Sequence, residues 1–321
     1  RDDAPTLTIY RMSFADATGA DRTIVGVLVG LEVVDPDAGG VLPHERTTPK
    51  AVTDRLDLTR ATATNLSPVW GLSLASGLTA ALAEPGEPIG EMVADGVVHT
   101  VERLGDPERI AAITAILASD DVLIADGHHR YSISRTYRDE VRAATGRDDT
   151  AAEFTLTFVN ELVADQLSIE AIHRIYTGTT VAQLRTELSG CFDLEPAPQP
   201  TPAMLARMVE LGRLVLLSPD GTAEWLVPKA GAFDGVRDLD GAYLEHALAG
   251  SSAEVGYQHG LEEMLTLVGS GEVAAGILIR PTSLLEIQRT AREGLLMPPK
   301  STFFTPKLRT GLVIRPTATL P

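Results

Sequence analysis

Residues 121–140, "DVLIADGHHRYSISRTYRDE", decide how the chain is read. Val122–Ala125 is an apolar run of strand length that meets Asp126-Gly127 before two histidines, an arginine and a tyrosine open a helical pattern. A strand that ends in such a turn with a helix behind it is a ready anion site. The first N–H groups of a helix lack partners and carry partial positive charge. Gly127 permits close backbone approach, His128, His129 and Arg130 add donors, and Arg130 can grip a phosphate or carboxylate with two hydrogen bonds. Asp126 is an acceptor beside those donors, able to orient a histidine or to meet a ribose, a substrate amine or a metal-bound water. The plainer alternative is that Asp126 only caps the helix and that the histidines pair with local carboxylates. Adjacent histidines project in different directions and no His-Glu-x-x-His spacing occurs, so no metal site is expected.

The flanking sequence alternates in the same manner. Residues 6–12 and 23–33 read as strands, 48–63 as a helix opened by Thr48 and Pro49, and 106–117 as a helix opened by Asp106 and Pro107. On the quoted helix, spacing puts Ile133, Tyr137, Val141 and Ala144 inside and an arginine stripe, Arg135, Arg138 and Arg142, outside. The stretch "EPAPQPTPA" (195–203) reads as a linker or long loop, dividing the chain into 1–194 and 204–321. Beyond it come a helix at 203–211, a hairpin turning at Asp220-Gly221, a helix around 256–268, the strand "VAAGILIRP" and a helix at 283–293 closed by Gly294. The expected class is mixed α/β (α+β), with the strand–DGHHR–helix junction in the first part and a C-terminal α/β portion after the linker.

Composition narrows the function classes. A chain of 321 residues with 44% hydrophobic and 22% charged residues is globular, with room for one large domain or two ordinary ones. The net charge of −17 disfavours nonspecific binding to nucleic acid or to an anionic membrane. A single cysteine, Cys191, excludes an internal disulfide framework and fits a reducing cytoplasm, the expected location. No run reaches the roughly 20 apolar residues of a membrane span, and no signal peptide is visible.

"IADGHHRY" resembles the signature of the domain-of-unknown-function family 1015, an uncharacterised bacterial and archaeal group. The blocks "VLPHERTTPKAVTDRLDLTRATATNLSPVWGL" (41–72), "QLSIEAIHRIY" (166–176) and "MPPKSTFFTPKLRTGLVI" (297–314) are similar to that family's other blocks, in the same order. The family usually carries a further N-terminal segment with a Pro-Pro-Tyr-Asp-like motif; the chain starts at Arg1 without one, so a missing upstream segment is expected. Strand–D-G-x-H-R–helix also resembles, over about eight residues, the nucleotide-binding signature of the ParB and sulfiredoxin superfamily, which includes archaeal free serine kinases. That resemblance implies a ParB/sulfiredoxin-like core in which Gly127–Arg130 cradles nucleotide phosphates. Sulfiredoxin chemistry needs a cysteine where His128 stands, so the small-molecule kinase is the nearer enzymatic analogue.

Further candidates follow from their chemistry. His44, Glu45, Arg46 and Lys50 share one loop, where Glu45 can serve as general base and the cations can offset phosphate charge. Residues 289–315 hold six Lys or Arg against the single acid Glu293, which implies an anion nearby, either a ligand phosphate or the protein's own carboxylates. Lys300, Ser301 and Lys307 are phosphate-pocket candidates, and His173 and Arg174 extend the same site or pack structurally. His99, His246 and His259 read as surface or helix-packed residues.

Together these assign catalysis to Asp126, Glu45 and His129, and phosphate binding to Gly127, His128, Arg130, Lys300, Ser301 and Lys307. Substrate contacts fall to His44, Arg46, His173 and Arg174. The expected activity is a phosphotransferase using ATP or ADP with Mg²⁺ on a small hydroxyl compound such as free serine, since phosphoryl transfer is mainly positioning and charge neutralisation. Two alternatives stay open: a ParB-type DNA-binding protein using the arginine stripe, and a phosphometabolite sensor or hydrolase. A homodimer is left open; membrane partners are not expected, and the acidic charge argues against nucleic acid.

Overall fold

Leu7–Ala15 (β1) and Asp21–Glu32 (β2) are long runs that draw on β-branched and, in β1, aromatic residues, and they pair antiparallel with Tyr10 opposite Gly26. Gly26 has no substitute here, because a Cβ would lie 2.4 Å from the Phe158 ring. The structure, a computed structural model, describes residues 4–16, 19–35, 38–43, 53–298 and 300–317. Contacts divide it into two units, the first comprising Arg1–Ser168, Ile287–Pro299 and Phe304–Pro321, the second Ile169–Glu286 and Lys300–Phe303. The expected mixed α/β class is borne out in both.

In the first unit the further strands are β3 (Val41–Pro43), β4 (Thr64–Asn65), β5 (Val69–Ser73), β6 (Glu87–Ala94), β7 (Val97–Leu104), β8 (Val122–Asp126) and β9 (Phe154–Glu161). The helices are α1 (Thr53–Thr62), α2 (Leu78–Ala81), α3 (Pro107–Leu117) and α4 (His128–Thr145). Eight strands form one sheet in the order β3-β8-β5-β9-β2-β1-β7-β6. β8 runs parallel to β3 and antiparallel to β5, and its residues Val122–Ala125 are buried as their unbroken apolar run requires. Asp106 caps α3 as expected, its Oδ1 accepting from the N–H groups of Glu108 (2.8 Å) and Arg109 (3.3 Å). Ile9, Val25, Val27, Ile113, Val122 and Val159 pack with Leu78 and Leu82 in this unit's core.

The second unit contains β10 (Ile169–Glu170), β11 (Ile172–Thr177), β12 (Phe192–Pro196), β13 (Leu214–Leu217), β14 (Ala223–Pro228), β15 (Glu254–His259) and β16 (Ala275–Leu278). Its helices are α5 (Val181–Leu188), α6 (Pro202–Leu211), α7 (Asp240–Ala247) and α8 (Leu261–Gly269). Then α9 (Leu284–Arg292), β17 (Phe303–Phe304) and β18 (Arg315–Pro316) complete the chain. Six strands pair antiparallel in the order β12-β14-β13-β16-β11-β15. Both faces are covered: Leu214, Leu216 and Ile277 join one apolar cluster, while Val215, Leu217 and Leu278 join another.

Three expectations change. Residues 256–259 belong to strand β15 rather than to the expected helix, because Gly256 fits against Ile175 of β11 and Gly260, at φ 86°, stops the helix from starting before Leu261. The Pro-rich stretch 195–203 lies inside the second unit, tied to the β13–β14 hairpin by Ala197 N–H to the Ala223 carbonyl (2.9 Å) and Gln199 Nε2 to the Gly221 carbonyl (2.7 Å). The arginine stripe of α4 is not a solvent face. Arg138 is 2% exposed, its guanidinium donating to the Val33 carbonyl, Asp35 and Asp139, and Arg142 pairs with Glu153 at 2.5 Å. The buried positions of α4 are Tyr131, Ile133, Ser134 and Arg138, and Ala144 is exposed.

Candidate functional site

The β8–α4 junction turns on Gly127, which adopts φ 92° and ψ 25° as the N-cap of α4 without any side-chain cap. Asp126 therefore does not cap the helix. It stands at the end of β8 and binds two cations: Lys307 Nζ lies 3.1 Å from its Oδ1, and Arg130 Nη2 donates to its Oδ2. Arg130 folds back over Gly127, also donating to Ser67 Oγ (2.9 Å) and the Pro68 carbonyl. Burial works to raise the Asp126 carboxyl, but the charges of Lys307 and Arg130 outweigh it and hold Asp126 below the ordinary carboxylate range. Burial also lowers the Arg130 guanidinium, opposed by Asp126 and reinforced by the like charge of Arg55.

This cluster opens into a cavity of about 500 Å³. Arg55 and Thr59 of α1, Thr64, Asn65 and Ser67, Asp126, Arg130 and Ser134, Thr155, and Lys307, Leu308 and Thr310 are among its lining residues. All belong to the first unit. His128 and His129 occupy the first turn of α4, half-buried, and are not among the described side chains that line it. Among the described residues no group of three or more His, Cys, Asp and Glu converges as a metal site.

The family model described as protein of unknown function (DUF1015) matches residues 1–242. The chain belongs to the DUF1015 family. No curated protein matches the sequence. Among solved structures it is similar to a conserved hypothetical protein from Pyrococcus furiosus, at 12% identity and TM-score 0.46, over 91% of this chain and 95% of that one. A free serine kinase in complex with AMP is similar at 12% identity and TM-score 0.48, over 92% of each chain. SbnI with a C-terminal truncation, from Staphylococcus aureus, is similar at 14% identity and TM-score 0.45, over 89% of this chain and 85% of that one.

Two of the blocks that resemble DUF1015 meet at the cavity, 41–72 supplying Arg55 and Ser67 and 297–314 supplying Lys307. Of the first block, His44, Glu45, Arg46 and Lys50 lie outside the described residues. Lys300 and Ser301 belong to the second unit, where their carbonyls accept from Arg174 Nη1 (3.2 Å) and Thr282 Oγ1 (2.8 Å). His173 and Arg174 are also in that unit, on β11. His173 Nδ1 accepts the Ile279 N–H (3.2 Å), and the Arg174 guanidinium sits 4.8 Å from the Tyr257 ring centroid.

The basic stretch 289–315 largely meets the protein's own acids. Arg289 pairs with Glu293, Arg292 with Asp120, Lys307 with Asp126 and Arg309 with Asp95. His99 is neither at the surface nor on a helix: it is 1% exposed on β7, its Nδ1 lying 2.7 Å from Tyr10 Oη and its Nε2 3.3 Å from Arg309 Nε. His259 likewise pairs with Glu170 at 2.6 Å. Sequence reasoning missed Arg55, Ser67 and Thr155. The first two lie in a quoted block and carried a usable signal; Thr155 reaches the cavity from a strand whose sequence gives none.

Proposed function

We propose that the protein is a nucleotide-dependent phosphotransferase acting on a small hydroxyl compound, with the phosphate chain in the cavity at the start of α4. The observation that carries this reading is the pairing of Arg130 and Lys307 around Asp126 at a helix N-terminus that opens into a cavity of about 500 Å³. Lys307 arrives from the C-terminal segment and Arg130 from the helix, so a phosphate oxygen can exchange with Asp126 for both cations. An Asp held below the ordinary range is a weak proton acceptor at neutral pH, so Asp126 serves as an orienting charge rather than as the base.

The base is assigned to Glu45, with His129 second. A free hydroxy amino acid is the substrate that the DGHHR resemblance to free serine kinases implies. Magnesium fits as a partner of the nucleotide phosphates, with Asp126 the one carboxylate among the described residues lining the cavity; it would supply charge neutralisation. The test is phosphorus NMR of the protein with ATP or ADP, magnesium and a pool of free amino acids, beside Lys307→Ala. A new phosphomonoester signal that is lost in the variant is expected. Unchanged nucleotide with a folded protein overturns the kinase reading for that pool, and tight binding without turnover assigns the site to a sensor.

A further inference from the structure

Among the described residues the Asp126 cavity is lined by three cations, Arg55, Arg130 and Lys307, and by one carboxylate. Arg130 and Lys307 both direct charge at Asp126. Arg55, exposed on the first turn of α1, has a different environment. Asp57, two positions on and so on another face of the helix, pairs with Arg60, which also holds Glu140 at 2.5 Å. Asp54 is adjacent in sequence, and neighbouring residues of a helix do not face each other. Among the described residues no carboxylate pairs with Arg55. Its charge instead opposes Arg130, adding to the burial that lowers that guanidinium. Two guanidiniums set against each other in a hydroxyl-rich cavity are placed for an anion that reaches both.

We infer that Arg55 is a ligand-binding residue of this site, donating to a phosphate group of a ligand whose other phosphate meets Lys307. The ligand class is therefore an oligophosphate, and α1 forms one wall of its site. This rests on the phosphate reading given above. Arg60, on the same helix, does not line the cavity and serves as the matched control.

The experiment is calorimetric titration of the full chain with inorganic phosphate, pyrophosphate and ATP, for wild type, Arg55→Ala, Arg55→Lys and Arg60→Ala. Arg55→Ala is expected to weaken pyrophosphate and ATP about tenfold or more, the loss of one charge-assisted donor. Arg55→Lys, which keeps the charge but loses the fork, falls between, and Arg60→Ala matches wild type. Inorganic phosphate binds more weakly and responds less to Arg55→Ala. Wild-type binding that Arg55→Ala leaves unchanged overturns the inference while the phosphate reading stands. If wild type binds none of the three anions, the phosphate reading itself fails and the inference with it.

Discussion

Gly127 is confined to its identity twice over. Its φ of 92° is a region where side chains cost about 1–2 kcal/mol, and a Cβ there would lie 2.8 Å from Arg130 Nε. That guanidinium is held by Asp126, Ser67 and Pro68, so it cannot move aside without releasing the carboxylate. Gly146, which ends α4 at φ 68°, faces open space where a Cβ would be. Gly146→Ala is therefore expected to destabilise by about 1 kcal/mol and Gly127→Ala by about 2–3 kcal/mol, the excess reporting the displaced arginine. Urea unfolding of the two variants measures this difference. Equal losses would mean that Arg130 accommodates the methyl, and the cluster would then be looser than its hydrogen bonds indicate.

At the scale of the element, α4 shows where pattern reading succeeds and where it stops. Its existence and its start after Asp126-Gly127 were legible, because glycine and apolar runs act locally. Its orientation was legible only at Ile133, which is buried as expected. The other inner positions are Tyr131, Ser134 and Arg138, polar tips satisfied by partners far along the chain: Tyr131 Oη lies 2.9 Å from the Val34 N–H and Ser134 Oγ 2.9 Å from Thr155 Oγ1. A hydrophobic periodicity cannot find a face that is closed by hydrogen bonds. The same limit hid strand β7, which pairs with the distant β1, and turned residues 256–259 from helix to strand. Arg138→Ala is expected to destabilise by about 2–3 kcal/mol, through lost packing and an orphaned Val33 carbonyl, against within about 0.5 kcal/mol for Arg135→Ala. Chemical denaturation of both variants checks it, and comparable small effects would restore the stripe as a surface feature.

Across the whole molecule, the chain leaves the first unit at Ser168 and returns to it in 287–299 and 304–321. No composition shift marks that route, because membership of a unit is decided by strand pairing and ion pairs such as Lys307 with Asp126, 181 residues apart. Of the cavity's described lining, Asp126, Arg130 and Lys307 were legible in the sequence; His128 and His129 do not line it, and Arg55 was not recognised. A titration separates the two units. In the second unit, burial with the charges of His259 and Arg174 pushes the His173 imidazole down to about 4 from the ordinary 6.5. Between those values the unfolded chain binds the proton and the folded chain does not, so stability rises with pH. The contribution is complete above pH 6.5 and is lost as the pH falls toward 4, amounting to about 3 kcal/mol at 1.4 kcal/mol per unit. In His173→Asn the amide oxygen can still accept from Ile279 N–H but does not titrate, so its stability should vary less over this range. Trp225, buried in the second unit, reports its unfolding by fluorescence, and Trp225→Phe removes that signal while leaving Trp70 of the first unit. A wild-type Trp225 transition as insensitive to pH as that of His173→Asn would place the proton acceptor elsewhere.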